Sequence, residues 1–144
     1  MRWPYNLEEC LRTIGHLADE LGLVSPVIEE SDHELVVREG AVEAPVSPYL
    51  HFSPDEVAEL VAKARARRGG GPSSGPTDHE QRLRVVGRQL DERRAQTVRL
   101  ELKEGTVAAS YFRLGQERAN EAFSDRYLRL MIDQAVRRRQ GPAA

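Results

Sequence analysis

The chain contains a single cysteine, and this scarcity excludes several kinds of chemistry. One thiol cannot form an internal disulfide, and it cannot build a metal site that needs several thiolates. Cys10 stands among apolar residues at helical spacing, so we interpret it as a small buried hydrophobe and not as a nucleophile.

Long apolar runs and a strong excess of one charge are also missing. No run approaches the roughly 18 apolar residues that a membrane span needs. The opening MRWPYNLEEC has an acidic pair where a secretory signal would be apolar. The formal net charge of −2 provides no overall attraction to nucleic acid or to acidic membranes. We therefore expect a soluble, cytoplasmic protein with no membrane partner.

Residues that would carry catalysis or bind a metal do not cluster along the chain. The four histidines occur singly and without ligand spacing, and neither an HExxH motif nor a strand-turn-helix nucleophile elbow is predicted. The acidic pairs Asp19/Glu20 and Asp91/Glu92 lie near predicted helix ends, where we interpret them as solvated, salt-bridged faces. The sequence predicts no catalytic residue, no metal site and no cofactor, and we expect that the protein is not an enzyme.

One interruption divides the 144 residues into two parts of nearly equal length. The stretch RRGGGPSSGPTD, residues 67–78, is rich in glycine, proline and serine, and nothing in it can contribute to a core. We interpret it as a flexible linker. The predicted organisation is a first repeat over residues 1–66, a linker over residues 67–77 and a second repeat over residues 78–144.

The first part predicts a helix, a hairpin, a further strand and a second helix. Asn6 begins a capping box, and the helix that follows ends near Gly22. Two β-prone runs, residues 27–30 and 34–38, form the hairpin. Pro45 and Pro48 precede YLHF, so this segment is either a third strand at an edge or coil. Ser53 then caps the second helix.

The second part predicts the same order of elements. Thr77 and Glu80 form a capping box before a helix that runs to about Arg94. TVRLELK alternates apolar and polar residues, which is typical of a strand with one buried face, and KEGT predicts the turn into the next strand. ERANEAF predicts a third strand, and Ser124 caps the last helix.

Two matched segments indicate that the second part is a copy of the first. LRTIGHLADE and LRVVGRQLDE share five of ten residues at an offset of 72, and FSPDEVAELVAKARARR matches FSDRYLRLMIDQAVRRR at an offset of 71. Gly15 and Gly87 recur in mid-helix, where glycine costs roughly 1 kcal/mol relative to alanine, so we expect another element to pack closely there. The predicted fold is α+β, an internal duplication of an α-β-β-(β)-α unit. It forms a pseudo-dimer with an antiparallel sheet and helices packed on it.

Each half resembles the double-stranded-RNA-binding domain in the order of its elements. That family begins its second helix with a lysine-rich cluster that grips phosphates. The matching positions here hold Ser53, Pro54, Asp55 and Glu56 in one half and Ser124, Asp125 and Arg126 in the other. Acidic residues at that place repel RNA, so the resemblance implies the topology and not the function.

The leading functional hypothesis is a non-catalytic protein–protein interaction or scaffolding module, with a protein partner or self-association. Tyr111 and Phe112 are consecutive in the second hairpin, so their side chains face opposite sides of the sheet and one lies outside the core. Both are candidate protein contacts, because aromatic side chains are enriched at interfaces.

Two alternatives stay open at this point. A nucleic-acid-binding protein would use the basic helix ends, which contain Arg65, Arg67, Arg68, Arg137, Arg138 and Arg139. A small-ligand binder would use a groove between the two repeats, since such interfaces often leave a concave pocket.

Overall fold

The computed structural model describes residues 6–31, 34–41, 49–68, 79–113 and 117–139, with the backbone alone for 67–68 and 135–139. These residues form four helices and six strands. In chain order the elements are α1 (Leu7–Leu21), β1 (Pro26–Ser31), β2 (Glu34–Glu39), β3 (Tyr49–Phe52), α2 (Pro54–Arg68), α3 (His79–Glu92), β4 (Gln96–Lys103), β5 (Thr106–Phe112), β6 (Arg118–Ser124) and α4 (Asp125–Arg139). The first two residues of the predicted linker, 67 and 68, belong to the end of α2. Its other residues, 69–77, lie outside the described residues, and these include the predicted cap Thr77.

All six strands form one antiparallel sheet in the order β3-β2-β1-β4-β5-β6. The first strands of the two parts, β1 and β4, pair at its centre, where Ile28 lies opposite Leu100. The third strands, β3 and β6, occupy the two edges. The α+β class and the antiparallel sheet are therefore confirmed, and both of the less regular strand segments are present as β3 and β6.

The helices cover one face of the sheet. Apolar side chains of all four helices pack in one cluster with inward-facing strand residues such as Ile28, Val37 and Leu100. Val27 and Val36 are buried too, but they are not part of this cluster because side chains alternate between the two faces along a strand. None of the four described helices covers the second face, and we call it the open face.

The helix termini confirm the caps that the sequence predicts. The Asn6 side chain accepts a hydrogen bond from the Glu9 N–H at 2.9 Å. Ser53 and Glu56 bond each other's backbone N–H groups at 3.1 and 3.2 Å, and the Ser124 hydroxyl accepts from the N–H of Tyr127. Each of these bonds satisfies a backbone donor that the helix leaves without an intrahelical partner.

The two long central helices, α1 and α3, cross at two glycines. A Cβ atom on Gly15 would lie 2.6 Å from the carbonyl oxygen of His79, and one on Gly87 would lie 2.7 Å from that of Leu7. Any side chain would therefore push the two backbones apart. This close approach confirms the packing that the mid-helix glycines predict.

Asp19 and Asp91 were expected on solvated faces, and this expectation is wrong. The Asp19 carboxylate accepts 3.0 Å hydrogen bonds from the backbone N–H groups of His79 and Glu80, at the start of α3. The Asp91 carboxylate does the same at the start of α1, at 2.8 and 3.0 Å. Each aspartate thus caps the facing helix, where a negative charge also interacts favourably with the helix dipole.

Strand pairing in the second part follows that in the first at a nearly constant offset. In the first part, Val36 lies opposite Glu29 and His51. In the second part, the residue 72 positions after Val36 is Ala108, and it lies opposite the corresponding residues Glu101 and Ala122. The offset is 72 from β1 to β4 and from β2 to β5, and 71 from β3 to β6. Residues of the two parts can therefore be compared position by position.

Candidate functional site

The open face carries two rows of side chains that cross the whole sheet. Neighbouring residues of a row are directly opposite each other on paired strands, so their side chains lie about 5 Å apart. The first row consists of His51, Val36, Glu29, Arg99, Ser110 and Asn120. The second row consists of Tyr49, Arg38, Val27, Glu101, Ala108 and Ala122.

Where the two rows cross the strands of the second part of the chain, their side chains form an open trough with a volume of about 400 Å³. Ala108, Ser110, Asn120 and Ala122 form its floor, and Arg99 and Glu101 stand beside it on β4. At the equivalent positions of the first part, the floor residues are Val36, Arg38, Tyr49 and His51. All four are larger than their counterparts, so the trough exists because four neighbouring side chains are small.

Ion pairs neutralise much of the charge beside the trough. The Arg99 guanidinium lies 3.0 Å from Glu101 through Nη2 and 3.7 Å from Glu29 through Nε. Lys103 Nζ approaches the other oxygen of Glu101 at 3.6 Å. The charges at this wall are thus already partnered, and the floor presents mainly methyl groups together with a hydroxyl and an amide.

The predicted aromatic contact pair is divided between the two faces of β5. Tyr111 is buried and its hydroxyl donates to Glu121 at 3.0 Å, whereas Phe112 is 37% exposed on the open face. The Arg118 guanidinium lies 5.1 Å from the centre of the Phe112 ring, within the range of a cation–π contact, and also bonds the Ser110 hydroxyl. Phe112 therefore lies close to one end of the trough, while Tyr111 belongs to the core.

A pair of rings projects from the opposite end of the open face. Tyr49 and His51 lie two residues apart on β3, with their ring centres 4.6 Å apart in an edge-on arrangement. The Tyr49 side chain is among the most exposed large apolar groups of the described residues, at 59%. His51 Nδ1 also lies 2.8 Å from a carboxylate oxygen of Glu34. We call Tyr49 and His51 the ridge.

The arginine-rich helix ends lie far from one another. The α2 helix packs beside α1 and β3, and α4 packs beside α3 and β6, so the two helices lie over opposite edges of the sheet. Arg65, the one predicted nucleic-acid contact whose side chain is described, forms a 2.8 Å ion pair with Glu9. The side chains of Arg67, Arg68, Arg137, Arg138 and Arg139 lie outside the described residues.

A buried polar cluster joins α1 to α3. Arg12 Nε bonds Glu80 at 3.0 Å, and the two ring nitrogens of His16 lie 2.8 Å from Glu80 and 2.6 Å from Glu20. A neutral imidazole has one N–H, so both His16 contacts are hydrogen bonds only when the ring is protonated. Burial raises the pKa of Glu80, but its bonds to Arg12 and His16 outweigh burial and leave the pKa below its ordinary value. Glu80 therefore bridges the two helices, while its predicted capping partner Thr77 lies outside the described residues.

A second buried carboxylate holds the end of β2. Glu39 accepts hydrogen bonds from the backbone N–H groups of Val24 at 2.8 Å, Ser25 at 2.9 Å and Gly40 at 3.2 Å. Burial raises its pKa, but these donors lower the pKa by more, so the group stays ionised below its ordinary range. Through its bonds to Val24 and Ser25, Glu39 holds the loop between α1 and β1 against the end of β2.

The contact between the two parts is close where it is described. The backbones of α1 and α3 touch at the glycines, and β1 and β4 are neighbours in the sheet. The apolar gap lined by residues such as Cys10, Ile28 and Val98 measures about 10 Å³, which is enough for about one water molecule.

Comparisons with known proteins identify no relative. The chain matches no protein-family model, no curated protein and no solved structure. Among the described residues, no helix is both long and apolar enough to cross a membrane, and no three His, Cys, Asp or Glu residues are grouped as metal ligands.

Proposed function

We propose that this chain is a non-catalytic protein-binding module, made by duplication of one α-β-β-β-α unit, and that it binds its partner in the trough on the open face. The observation that carries this proposal is the replacement of four neighbouring large residues by small ones. Val36, Arg38, Tyr49 and His51 stand at these positions in the first part, and their smaller counterparts leave a trough of about 400 Å³ in the second.

Reciprocal contacts between the two parts support the duplication. Gly15 lies against Glu80 and Gly87 lies against Glu8, so each contact maps onto the other when the parts are exchanged. The ion pair of Arg12 with Glu80 likewise has a counterpart in that of Arg84 with Glu8. The two aspartate caps follow the same rule. Such reciprocity is expected of a two-fold arrangement of equivalent units.

The chemistry of the trough favours an apolar side chain of another protein. Its methyl-lined floor matches an aliphatic or aromatic group, and Ser110 and Asn120 supply hydrogen-bonding groups for the partner's backbone. Phe112 adds an exposed aromatic at the edge, which is the kind of residue that interfaces favour. Because Arg99 is already held by two carboxylates, the trough is poorly suited to a phosphate.

Site-specific photo-cross-linking tests this proposal. A photoreactive phenylalanine analogue in place of Phe112, at the edge of the trough, is expected to form a discrete protein adduct in an extract of cells that naturally express the chain. It replaces one aromatic ring by another and leaves the trough empty. The same analogue at Leu130, an exposed residue of α4 on the helix-covered side, is the matched control. Substitution of Ala122 by Trp, which fills the trough, is expected to abolish the adduct at position 112.

Two results would overturn the proposal. One is the absence of any protein adduct at position 112, and the other is an identical set of adducts at positions 112 and 130. Either would mean that the open face has no protein partner of its own.

A further inference from the structure

We propose that the partner in the trough is a second copy of this chain, whose ridge, Tyr49 and His51, inserts there. This inference rests on the proposed function, because it names the occupant of the same site. The ridge is an exposed aromatic pair and the trough is a methyl-lined depression, so one face of the molecule carries both a projection and a matching recess. A surface of this kind is self-complementary, as a two-fold dimer interface must be.

The positions of ridge and trough allow both contacts to form at once. The ridge and the outer floor residues, Asn120 and Ala122, occupy opposite ends of the same two rows. They therefore lie at similar distances, on the order of 10 Å, on either side of the sheet centre between β1 and β4. A two-fold axis parallel to the central strands, between two stacked sheets, places each ridge over the trough of the other copy. Sheets stacked face to face with roughly aligned strands are a common packing.

The charges at the centre of the open face do not oppose stacking. Arg99 pairs with Glu29 and Glu101, and Lys103 pairs with Glu101, so two positive and two negative groups balance within each chain. A second copy can therefore approach this part of the face without an excess of like charge, which would cost several kcal/mol across an interface.

The size of the face predicts a reversible dimer. Six strands about 4.8 Å apart and about six residues long span a face of roughly 500 Å². Two stacked copies therefore bury on the order of 1,000 Å² in total, near the lower limit for a specific interface. We expect self-association that depends strongly on concentration.

Sedimentation equilibrium of the full chain over a wide concentration range tests this inference. The wild type is expected to shift from monomer to dimer as its concentration rises. Ala122→Trp, which fills the trough, and Tyr49→Ala, which removes half of the ridge, are each expected to weaken the dimer by about tenfold or more. Leu130→Trp adds the same indole on the helix-covered side and is expected to leave the dimer unchanged. Circular dichroism checks that each variant is folded.

A cysteine pair identifies the interface directly. Tyr49 and Ala122 lie on opposite edges of one sheet, too far apart to be joined within a chain. They belong to the same row, so the two-fold axis places each over the other in the dimer. Stacked sheets lie about 10 Å apart, beyond the reach of a disulfide. In the variant Tyr49→Cys/Ala122→Cys, a bismaleimide that spans about this distance is therefore expected to give a covalent dimer. The variant Tyr49→Cys/Leu130→Cys is the matched control and is expected to give no covalent dimer under the same conditions.

The outcomes separate this inference from the proposed function. A wild type that stays monomeric at all concentrations, while the analogue at position 112 captures a different protein, overturns the self-association and leaves the proposed function standing. A dimer that Ala122→Trp and Tyr49→Ala do not weaken uses another surface, and it also overturns the inference. A monomer with no adduct at position 112 overturns both proposals.

Discussion

Gly15 lies against the backbone of Glu80, so closely that a methyl group on Gly15 would stand 2.8 Å from the Glu80 Cα. This contact brings α1 and α3 together across the two parts of the chain. Its counterpart is the contact of Gly87 with Glu8, at the same distance. The central helix pair therefore depends on two missing side chains.

Alanine at either glycine is expected to destabilise the protein. The neighbouring atoms belong to backbone and cannot rotate away, so the helices must separate, and overpacking of this kind costs about 1–3 kcal/mol. The gain in helix propensity, about 1 kcal/mol, offsets only part of this cost. Urea unfolding of Gly15→Ala and Gly87→Ala is the measurement, and similar losses are expected because the two contacts match. A variant more stable than the wild type would contradict the close crossing.

Loss of either aspartate cap is expected to lower the free energy of unfolding by about 1–2 kcal/mol, because two backbone N–H groups at the start of the facing helix lose their acceptor. Asp19→Ala and Asp91→Ala test this in thermal or urea unfolding. Asp133→Ala, an exposed position of α4, is the control and is expected to change stability by less than about 0.5 kcal/mol. If all three variants behave alike, the aspartates do not stabilise the helix pair.

Acid is expected to destabilise the fold through Glu39 and Glu80. The folded state lowers the pKa of both groups below their ordinary value of 4.5. Their contribution is therefore fully present above that value and is lost as the pH falls through the lower folded-state pKa. The urea midpoint should stay level down to about pH 5 and fall at lower pH.

Glu39→Gln is the variant that checks this pH dependence. It retains the shape of the side chain but does not titrate, so the variant should be less stable at neutral pH and its acid-induced decline should be shallower. Glu59→Gln, at an exposed position of α2, is the control and should follow the wild-type curve. An unchanged acid slope in Glu39→Gln would show that this carboxylate does not carry the effect.

Local features of the chain were readable from the sequence because short-range physics produces them. Asn6, Ser53 and Ser124 cap helices within three residues of themselves, and the alternation in TVRLELK follows from the two faces of a strand. The mid-helix glycines also signalled a close approach, since nothing else would offset their cost.

Contacts between distant segments were not readable in the same way. Asp91 looked like a solvated residue at a helix end, and its bond to the Leu7 N–H joins positions 84 residues apart. Glu80 pairs with Arg12 on the facing helix, at a separation of 68 residues. In both cases the partner belongs to another element, so no local pattern indicates it.

The trough could not be read from the chain for a related reason. Ala108, Ser110, Asn120 and Ala122 are unremarkable in sequence, and they become one surface only when β5 and β6 pair in register. Their small size also becomes apparent only when they are compared with the larger residues at the equivalent positions of the first part, such as Tyr49 and His51. Of the predicted contact pair, the sequence indicated that one aromatic lies outside the core, and the sheet decides that it is Phe112.

Periodicity, capping residues and glycine spacing were therefore sufficient to establish the elements, their order and the α+β class, because each depends on neighbours within a few residues. Tertiary structure alone decided which strands pair, which carboxylates cap or bridge the facing helix, and where the open face is concave. The reason is that these features arise from groups brought together across the fold, and their spacing along the chain contains no record of that contact.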